Sequence, residues 1–482
     1  MTSSLLLRDA ELDGGRRADI RVRDGIVVQL APALDRGSGE QLIDCGGGAV
    51  IAGLCDHHLH LHAMAAARAS VCCGPPQVRD AAGLAAAVRA ARPDETGWIR
   101  GVGYFETVAG DLDANAIDRI RADVPVRIQH RSGALWIVNT AALAAAGLAE
   151  GGGRGSFRDA SGIGRDGNGI ERDASGRPTG RLWRADDWLR GRLPKRQFAA
   201  LAGIGAEICG YGITAVTDAT PDLEDAAITA ISDAMLRREL PPRVHLLGVP
   251  LGATIPGTPG LTAGPYKIVL ADSGMLTYPE LTDLVAAAHG AGRPVAIHCV
   301  TREALVLTAL VLGDVETIAG DRIEHAGVVS HEMLDGLAAL GVRVVTQPGF
   351  LAVRGDDFLR DTPAAEHEDL YRCGSLVRAG VPVALSSDAP YGPADPWAVM
   401  AAAVSRRTQA GRVAGAGERI SFRQALEAYL GAPSDPGGPA RQVGVGAPAD
   451  LVVLRVPLAE VHRTPAPVHA VVAGGEIRAL LP

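Results

Sequence analysis

The pattern of apolar and polar positions divides the chain into two strand-rich ends and a long middle of alternating elements. At the N-terminal end, Ser4–Arg8, Ala18–Arg23 and Ile26–Leu30 read as short strands, and Asp24-Gly25 between the last two is a hairpin signal. At the other end, Ala449–Arg455 and Ala470–Arg478 read the same way around turns. Together they predict one small β-sandwich domain built from both termini, residues 1–52 and 432–482.

The middle, residues 53–431, alternates strands with amphipathic helices. Strands are predicted over Ile213–Thr217, Val244–Val249, Tyr266–Leu270, Pro294–His298, Arg322–His325, Arg343–Thr346 and Pro382–Ser386, with another over Gly48–Leu54. Helices are predicted over Tyr278–Ala291, Arg302–Leu312 and Glu332–Leu340. Repeated strand–helix units imply a parallel sheet, and this number of strands fits an α/β fold of the (β/α)8 TIM-barrel type. Residues from about 64 to 205 break the rhythm. They are rich in glycine and arginine and hold four of the five tryptophans, Trp98, Trp136, Trp183 and Trp188. They read as a large insertion after the first barrel strand. In this fold such insertions lie over the C-terminal face, so this one is expected to cover the active site.

Composition narrows the function. Hydrophobic residues make up 47% and charged residues 21% of the chain, as in a soluble globular protein. The net charge of −8, without a basic stripe, argues against nucleic acid as a partner. No apolar run reaches the ~18 residues of a membrane span, and the N-terminus lacks a signal-peptide pattern. Seven cysteines without a C-x-x-C pair suit a reduced cytoplasm. A small molecule is the expected partner, and a homodimer is the expected assembly on commonness alone.

Candidate chemistry centres on Cys55–His62, C-D-H-H-L-H-L-H. On a strand, residues two apart share a face, so Asp56, His58 and His60 point one way and His57 the other. Two converging imidazoles are a chelate for Zn²⁺ or a similar divalent ion. Later strands end in His298, His325 and Asp388, and Lys267 lies within the strand before His298. A single histidine at a strand end is more often structural. Three strand ends carrying ligand-type residues after a His-x-His argue for a metal site. Lys267 stands out further because Lys195 is the only other lysine in the chain. Gly101-Val-Gly103 lacks the third glycine of a dinucleotide fingerprint. His130 and His245 read as structural. Arg406-Arg407 offers either a carboxylate-binding group or a solvated face. The tryptophans of the insertion, together with Tyr104, line a substrate pocket or form a satellite core; Tyr104, Trp136 and Trp183 are the substrate-binding candidates.

The set Asp56-His57-His58-Leu59-His60, Lys267, His298, Arg322-Ile-Glu-His325 and Ser387-Asp388 resembles the amidohydrolase superfamily. Gly446–Leu454, Tyr211–Asp218, Asn139–Leu143 and Thr179-Gly180 extend the likeness over nearly the whole chain, and the nearest resemblance is to amidohydrolase family 3, the N-substituted formamide deformylase-like group. The resemblance implies two divalent metal ions, zinc first in expectation. His58 and His60 would hold one and His298 and His325 the other. Lys267, carboxylated by CO₂, would bridge them, and Asp388 would be both ligand and catalytic proton shuttle. It implies hydrolysis of a C–N amide-type bond of a small molecule by a metal-bound hydroxide. A mononuclear deaminase and a lactone or ester hydrolase of the same superfamily are the alternatives, with a non-catalytic barrel scaffold as a third. The deaminases place a glutamate three residues after the His298 position, where this chain has Thr301. Three positions depart from the family pattern: Ala52 for its proline, Ala134 for its histidine and Arg184 near its glutamate. The last two fall in the insertion and concern the substrate rather than the metal core.

Overall fold

The computed structural model describes residues 4–12, 14–75, 77–148, 157–158, 164–194, 199–270 and 275–481. The chain divides into two compact units, one of Met1–His62 with Ala200–Pro482, the other of Ala63–Ala199.

Two parallel sheets form the centre of the first unit. One runs Leu54–Leu59, Ile213–Asp218, Arg243–Leu246, Leu261–Ala263. The other runs Tyr266–Val269, Val295–Cys299, Arg322–His325, Arg343–Thr346, Val383–Leu385. Leu54–Leu59, Ile213–Asp218 and Arg322–His325 are buried at every position, as parallel strands covered on both faces are. Backbone hydrogen bonds link the strands of the two sheets and the segments that follow them. Lys267 N–H donates to Leu247 O at 3.2 Å, and Asp388 N–H donates to His58 O at 2.8 Å. His60 N–H donates to Ala389 O at 2.9 Å.

The helices between the strands follow the apolar periodicity. Tyr278–Gly290 starts at a capping box of Thr277 and Glu280, and Arg302–Val315 starts at Thr301, whose hydroxyl accepts from Ala304 N–H. The predicted Glu332–Leu340 helix is a 3₁₀ turn, His331–Met333, that runs into Leu334–Leu340. Leu281, Val285, Leu305, Leu312, Leu334 and Leu337 bury their side chains in one core with the apolar strand faces.

The predicted strand Gly48–Leu54 is in fact a crossing point. Val50–Ala52 pairs antiparallel with Leu451–Leu454, whereas Leu54–Leu59 belongs to the parallel sheet. The chain changes sheets at Gly53, where a Cβ would lie 2.1 Å from Thr214 Oγ1, so only glycine fits. The histidine motif therefore makes most of its own strand instead of capping the apolar run before it.

The termini form two four-stranded sheets. One runs Ile26–Ala31, Arg16–Arg23, Ser4–Leu12, Gln41–Asp44, and the other Glu476–Leu480, Val468–Ala473, Leu451–Leu454, Val50–Ala52. Leu5, Leu7, Ile20 and Val22 of the first share a buried cluster with Val50, Leu451, Val453 and Val472 of the second. The predicted hairpin closes with Arg23 opposite Ile26, and Asp24 (φ 49°) and Gly25 (φ 79°) both take the positive φ that a two-residue type I′ turn requires.

The second unit carries a mixed eight-stranded sheet of its own, from Val71–Cys72 at one edge to Phe157–Arg158 at the other. Of the two roles open to its aromatic residues, Tyr104, Trp98 and Trp136 lie in its buried core, with Trp183 and Trp188 partly buried against it. Tyr104 is wholly buried and its hydroxyl donates to Gly110 O at 2.5 Å. Trp136 is buried with Trp98, Leu143 and Leu182; its indole N–H donates to Asp186 Oδ1 at 2.8 Å, and the guanidinium of Arg127 lies over its ring. Trp183 donates to Glu171 Oε2 at 2.9 Å beneath Arg165. The two departures from the family pattern meet here, where Arg184 N–H donates to Ala134 O at 2.8 Å.

Arg406 fills neither role expected of it. It is completely buried and spends its donors on the carbonyls of Ala414, Tyr371 and Leu370 at 2.6–2.9 Å. Arg407 is exposed and bonds Gly411 O.

Candidate metal centre

Strand ends of the first unit bring histidines and a carboxylate together. His58, His325 and Asp388 each offer an atom, and these atoms lie within 4.8 Å of one another. Asp388 Oδ1 is 3.1 Å from His60 Nε2 and 3.5 Å from His58 Nε2, and its Oδ2 is 4.0 Å from His325 Nδ1. The ring of His298 stands edge-on to that of His325, with centroids 4.4 Å apart. Lys267 is buried one strand away, opposite Ala296 in register, and its charge acts on His58, His298 and His325. Among the described residues its ammonium has no hydrogen-bond or ion-pair partner. Of the two structural partners conceivable for it, Glu324 acts on it only through its field, and Asp272 lies outside the described residues.

Strand alternation sorts the histidine motif as expected. His57 turns away from His58 and packs its ring nitrogen 3.6 Å from Cys55 Sγ. Asp56 does not join the cluster. Its Oδ1 accepts from His58 N–H at 3.1 Å and Ser387 N–H at 3.2 Å, tying the first strand to the segment that carries Asp388. Burial pushes its carboxyl up to about 6. His62 is also outside the cluster and meets Ala227 O at 3.0 Å.

Alternation fails where the site needs it to. On a regular strand Glu324 and His325 would face opposite sides. His325 (φ 70°) and Ala326 (φ 46°) sit in the left-handed region, and the chain bends so that both side chains reach His58. Asp388 (φ 52°) is bent likewise. Such backbone is costly and persists where the surroundings enforce it.

A layer of partners behind the histidines escaped the sequence reading. His58 Nδ1 is held by Glu324 Oε2, His60 Nδ1 by Thr220 Oγ1 at 3.1 Å, and His325 Nδ1 by Gln347 Oε1 at 2.8 Å. Gln347 is itself held by Ser386 Oγ at 2.9 Å, and Thr220 N–H rests on Asp218. Tyr391 sets its ring edge-on to His60, with centroids 5.6 Å apart. Glu324 lies within the R-I-E-H segment and alternates in phase with Arg322, which is the signal that marks it; nothing local marks Thr220 or Gln347.

Electrostatics leave these groups in ligand form. Burial, aided by the field of Lys267, lowers the His58 imidazole to about 3. Burial likewise holds His298 well below the ordinary imidazole range and lowers His325. Burial would raise Asp388, but the hydrogen bond to His60 and the nearby histidines outweigh it and keep the carboxyl far below its usual range. Near neutral pH His58, His298 and His325 are therefore neutral imidazoles beside the ionised Asp388 carboxylate. Such a set fits a divalent cation, which supplies the charge that the buried carboxylate lacks as a partner.

Parallel strands ending in a cluster that could hold a metal ion define the class as an α/β protein with a candidate metal centre. Residues 41–479 match the model of the amidohydrolase family, family 3, and the chain belongs to that family. Membership makes it a hydrolase. The chain is 33% identical over 137 residues to the N-substituted formamide deformylase of Arthrobacter pascens, a match covering 28% of this chain and 25% of that protein. It is 25% identical over 443 residues to the putative amidohydrolase YtcJ of Bacillus subtilis strain 168, covering 82% of each. In fold it is similar to the crystal structure of an uncharacterized metal-dependent hydrolase from Pyrococcus horikoshii, with a TM-score of 0.68, 19% identity, and coverage of 90% of this chain and 95% of that one. N-isopropylammelide isopropylaminohydrolase from Burkholderia multivorans is a more distant fold match, with a TM-score of 0.54, 16% identity, and coverage of 99% and 100%. Among the described residues no helix is long and apolar enough to cross a membrane.

Proposed function

We propose that this protein hydrolyses a C–N amide-type bond of a small molecule with two divalent metal ions, zinc first. The observation that carries the reading is the meeting of His58, His325 and Asp388 within 4.8 Å, from strands far apart in sequence. His58 and His60 would hold one ion, His298 and His325 the other, and Lys267 would bridge them as a carbamate. Burial lowers the Lys267 amine from its ordinary value, which favours the neutral form that reacts with CO₂. When bound, the metals supply Lewis acidity and an activated water. Asp388 Oδ1, set between His58 and His60, would hold the proton given up by the attacking water and pass it to the leaving nitrogen. The family membership and the name of the Arthrobacter relative support the C–N assignment. We further infer that the two parallel sheets, apart from the extra edge strand Leu261–Ala263, are arcs of one (β/α)8 barrel and that the terminal sheets pack as a sandwich. The hydrogen bonds between the two sheets' segments and the shared terminal core support this.

One observation favours a second reading: His58, His325 and Asp388 together are the size of a single-ion site. Elemental analysis of the zinc-loaded protein, with a hydrolysis panel of N-acyl, N-formyl, cyclic amide and lactone compounds, tests both. Two metals with turnover of an amide agree with the proposal. One metal per chain with an unmodified Lys267 supports the mononuclear reading. No metal after loading removes both.

A further inference from the structure

The chemistry proposed above uses His58 and leaves Glu324 and Arg322, two wholly buried charges behind it, without a role. They are joined in a closed ring. His58 Nδ1 meets Glu324 Oε2, Glu324 Oε1 meets Arg322 Nε, and Arg322 Nη2 donates to the carbonyl of His57 at 2.7 Å. Since His57 precedes His58, the ring returns to the residue where it began. It grips His58 by both side chain and backbone, across 266 positions of sequence.

As a source of stability the pair is poorly designed. Two charges this dry lose in desolvation roughly what their attraction returns, and Arg322 Nη1 finds no partner among the described residues. As a support for His58 the same arrangement is well designed. An acceptor on Nδ1 fixes the proton there and leaves Nε2, the nitrogen that faces Asp388 at 3.5 Å, with its lone pair free. The other histidines are backed by neutral groups, the Thr220 hydroxyl for His60 and the Gln347 carboxamide for His325. Of these three histidines only His58 meets a carboxylate at Nδ1, and Arg322 stops that carboxylate from turning away.

We infer that Glu324, clamped by Arg322, is a positioning residue of the metal centre. It holds His58 as the Nδ1–H tautomer with Nε2 aimed at Asp388, and it makes that nitrogen a stronger donor to a divalent cation. The inference rests on the metal-site reading above and adds to it which side chain sets the affinity. Carboxylates behind ligating histidines typically change metal affinity by about 10- to 100-fold.

The test is zinc retention by the full-length protein against a chelating dye, with thermal unfolding measured alongside. Glu324→Gln keeps the shape and removes the charge; it is expected to hold zinc about 10- to 100-fold more weakly. Glu324→Leu, which cannot accept a hydrogen bond, is expected to be weaker still, and with Co²⁺ in place of Zn²⁺ the visible absorption of both variants should shift. His58→Ala is the reference and should lose the ion outright. Wild-type zinc affinity in Glu324→Gln while His58→Ala loses zinc would overturn the positioning role and leave the site intact. Wild-type affinity in His58→Ala would overturn the site and the inference together. If Glu324→Gln fails to fold because Arg322 is stranded, the double variant Arg322→Met/Glu324→Gln takes its place, and wild-type affinity there overturns the role equally.

Discussion

Asp388 meets His58, His60 and His325 from a backbone bent into the left-handed region, so its side chain has little freedom to serve elsewhere. Asp388→Asn keeps the size and loses the base. Turnover should fall at least about 100-fold while the fold persists, and a kcat near wild type would remove Asp388 from the proton transfer. His57 and His58 are adjacent yet opposite in facing. His58→Ala should strip metal, whereas His57→Ala should leave metal content unchanged and cost only stability; the reverse pattern, read by elemental analysis, would mean the strand register is off by one. At this scale the sequence was readable where side chains alternate or end a strand, as at His58, His298 and Asp388. It was silent where a partner arrives from across the sheets. Thr220 is 160 positions from His60, and no local pattern announces such a pairing. Tyr104 and Trp136 left two readings open in sequence for a different reason, since an aromatic residue with a polar tip suits a pocket wall and a satisfied core equally well.

Elements were legible wherever apolar spacing was clean, as in the strands Ile213–Asp218 and Arg322–His325 and the helix Tyr278–Gly290. The boundary at Gly53 was not, because Val50–Leu54 is one apolar run in sequence and two strands in space. What separates them is a steric fact about Thr214, visible only once both segments are placed. Gly53→Ala should therefore cost about 1–3 kcal/mol by overpacking. Urea denaturation measures this, and the added change Thr214→Ala should recover part of the loss. An unchanged midpoint for Gly53→Ala would show that the crossing has room to spare. The failed expectation for Arg406 has the same origin: three backbone carbonyls gathered by folding make a socket that sequence does not display.

For the whole molecule, buried imidazoles tie stability to pH. Burial, with Arg322 and Arg293, lowers His245 from 6.5 to about 4. The unfolded chain thus takes up a proton at a pH where the native state refuses it. The stability this represents is intact above 6.5 and is lost as pH falls toward 4. Asp56, raised to about 6 by burial, acts in the opposite sense, so the informative quantity is the difference between wild type and His245→Gln. The variant should lose less stability than wild type between pH 7 and 4, and parallel curves would contradict the assignment. The backbone bonds between Asp388 and His58 and between His60 and Ala389 carry a further consequence, one of timing. His60 and Asp388 stand 328 positions apart, so at ~5–20 residues per second a ribosome needs on the order of tens of seconds to supply the second after the first. Until then His58 and His60 belong to an unfinished chain that lacks Asp388. Under the metal reading proposed above, the site is complete only once synthesis has passed Asp388, which makes loading a late event in the life of the chain.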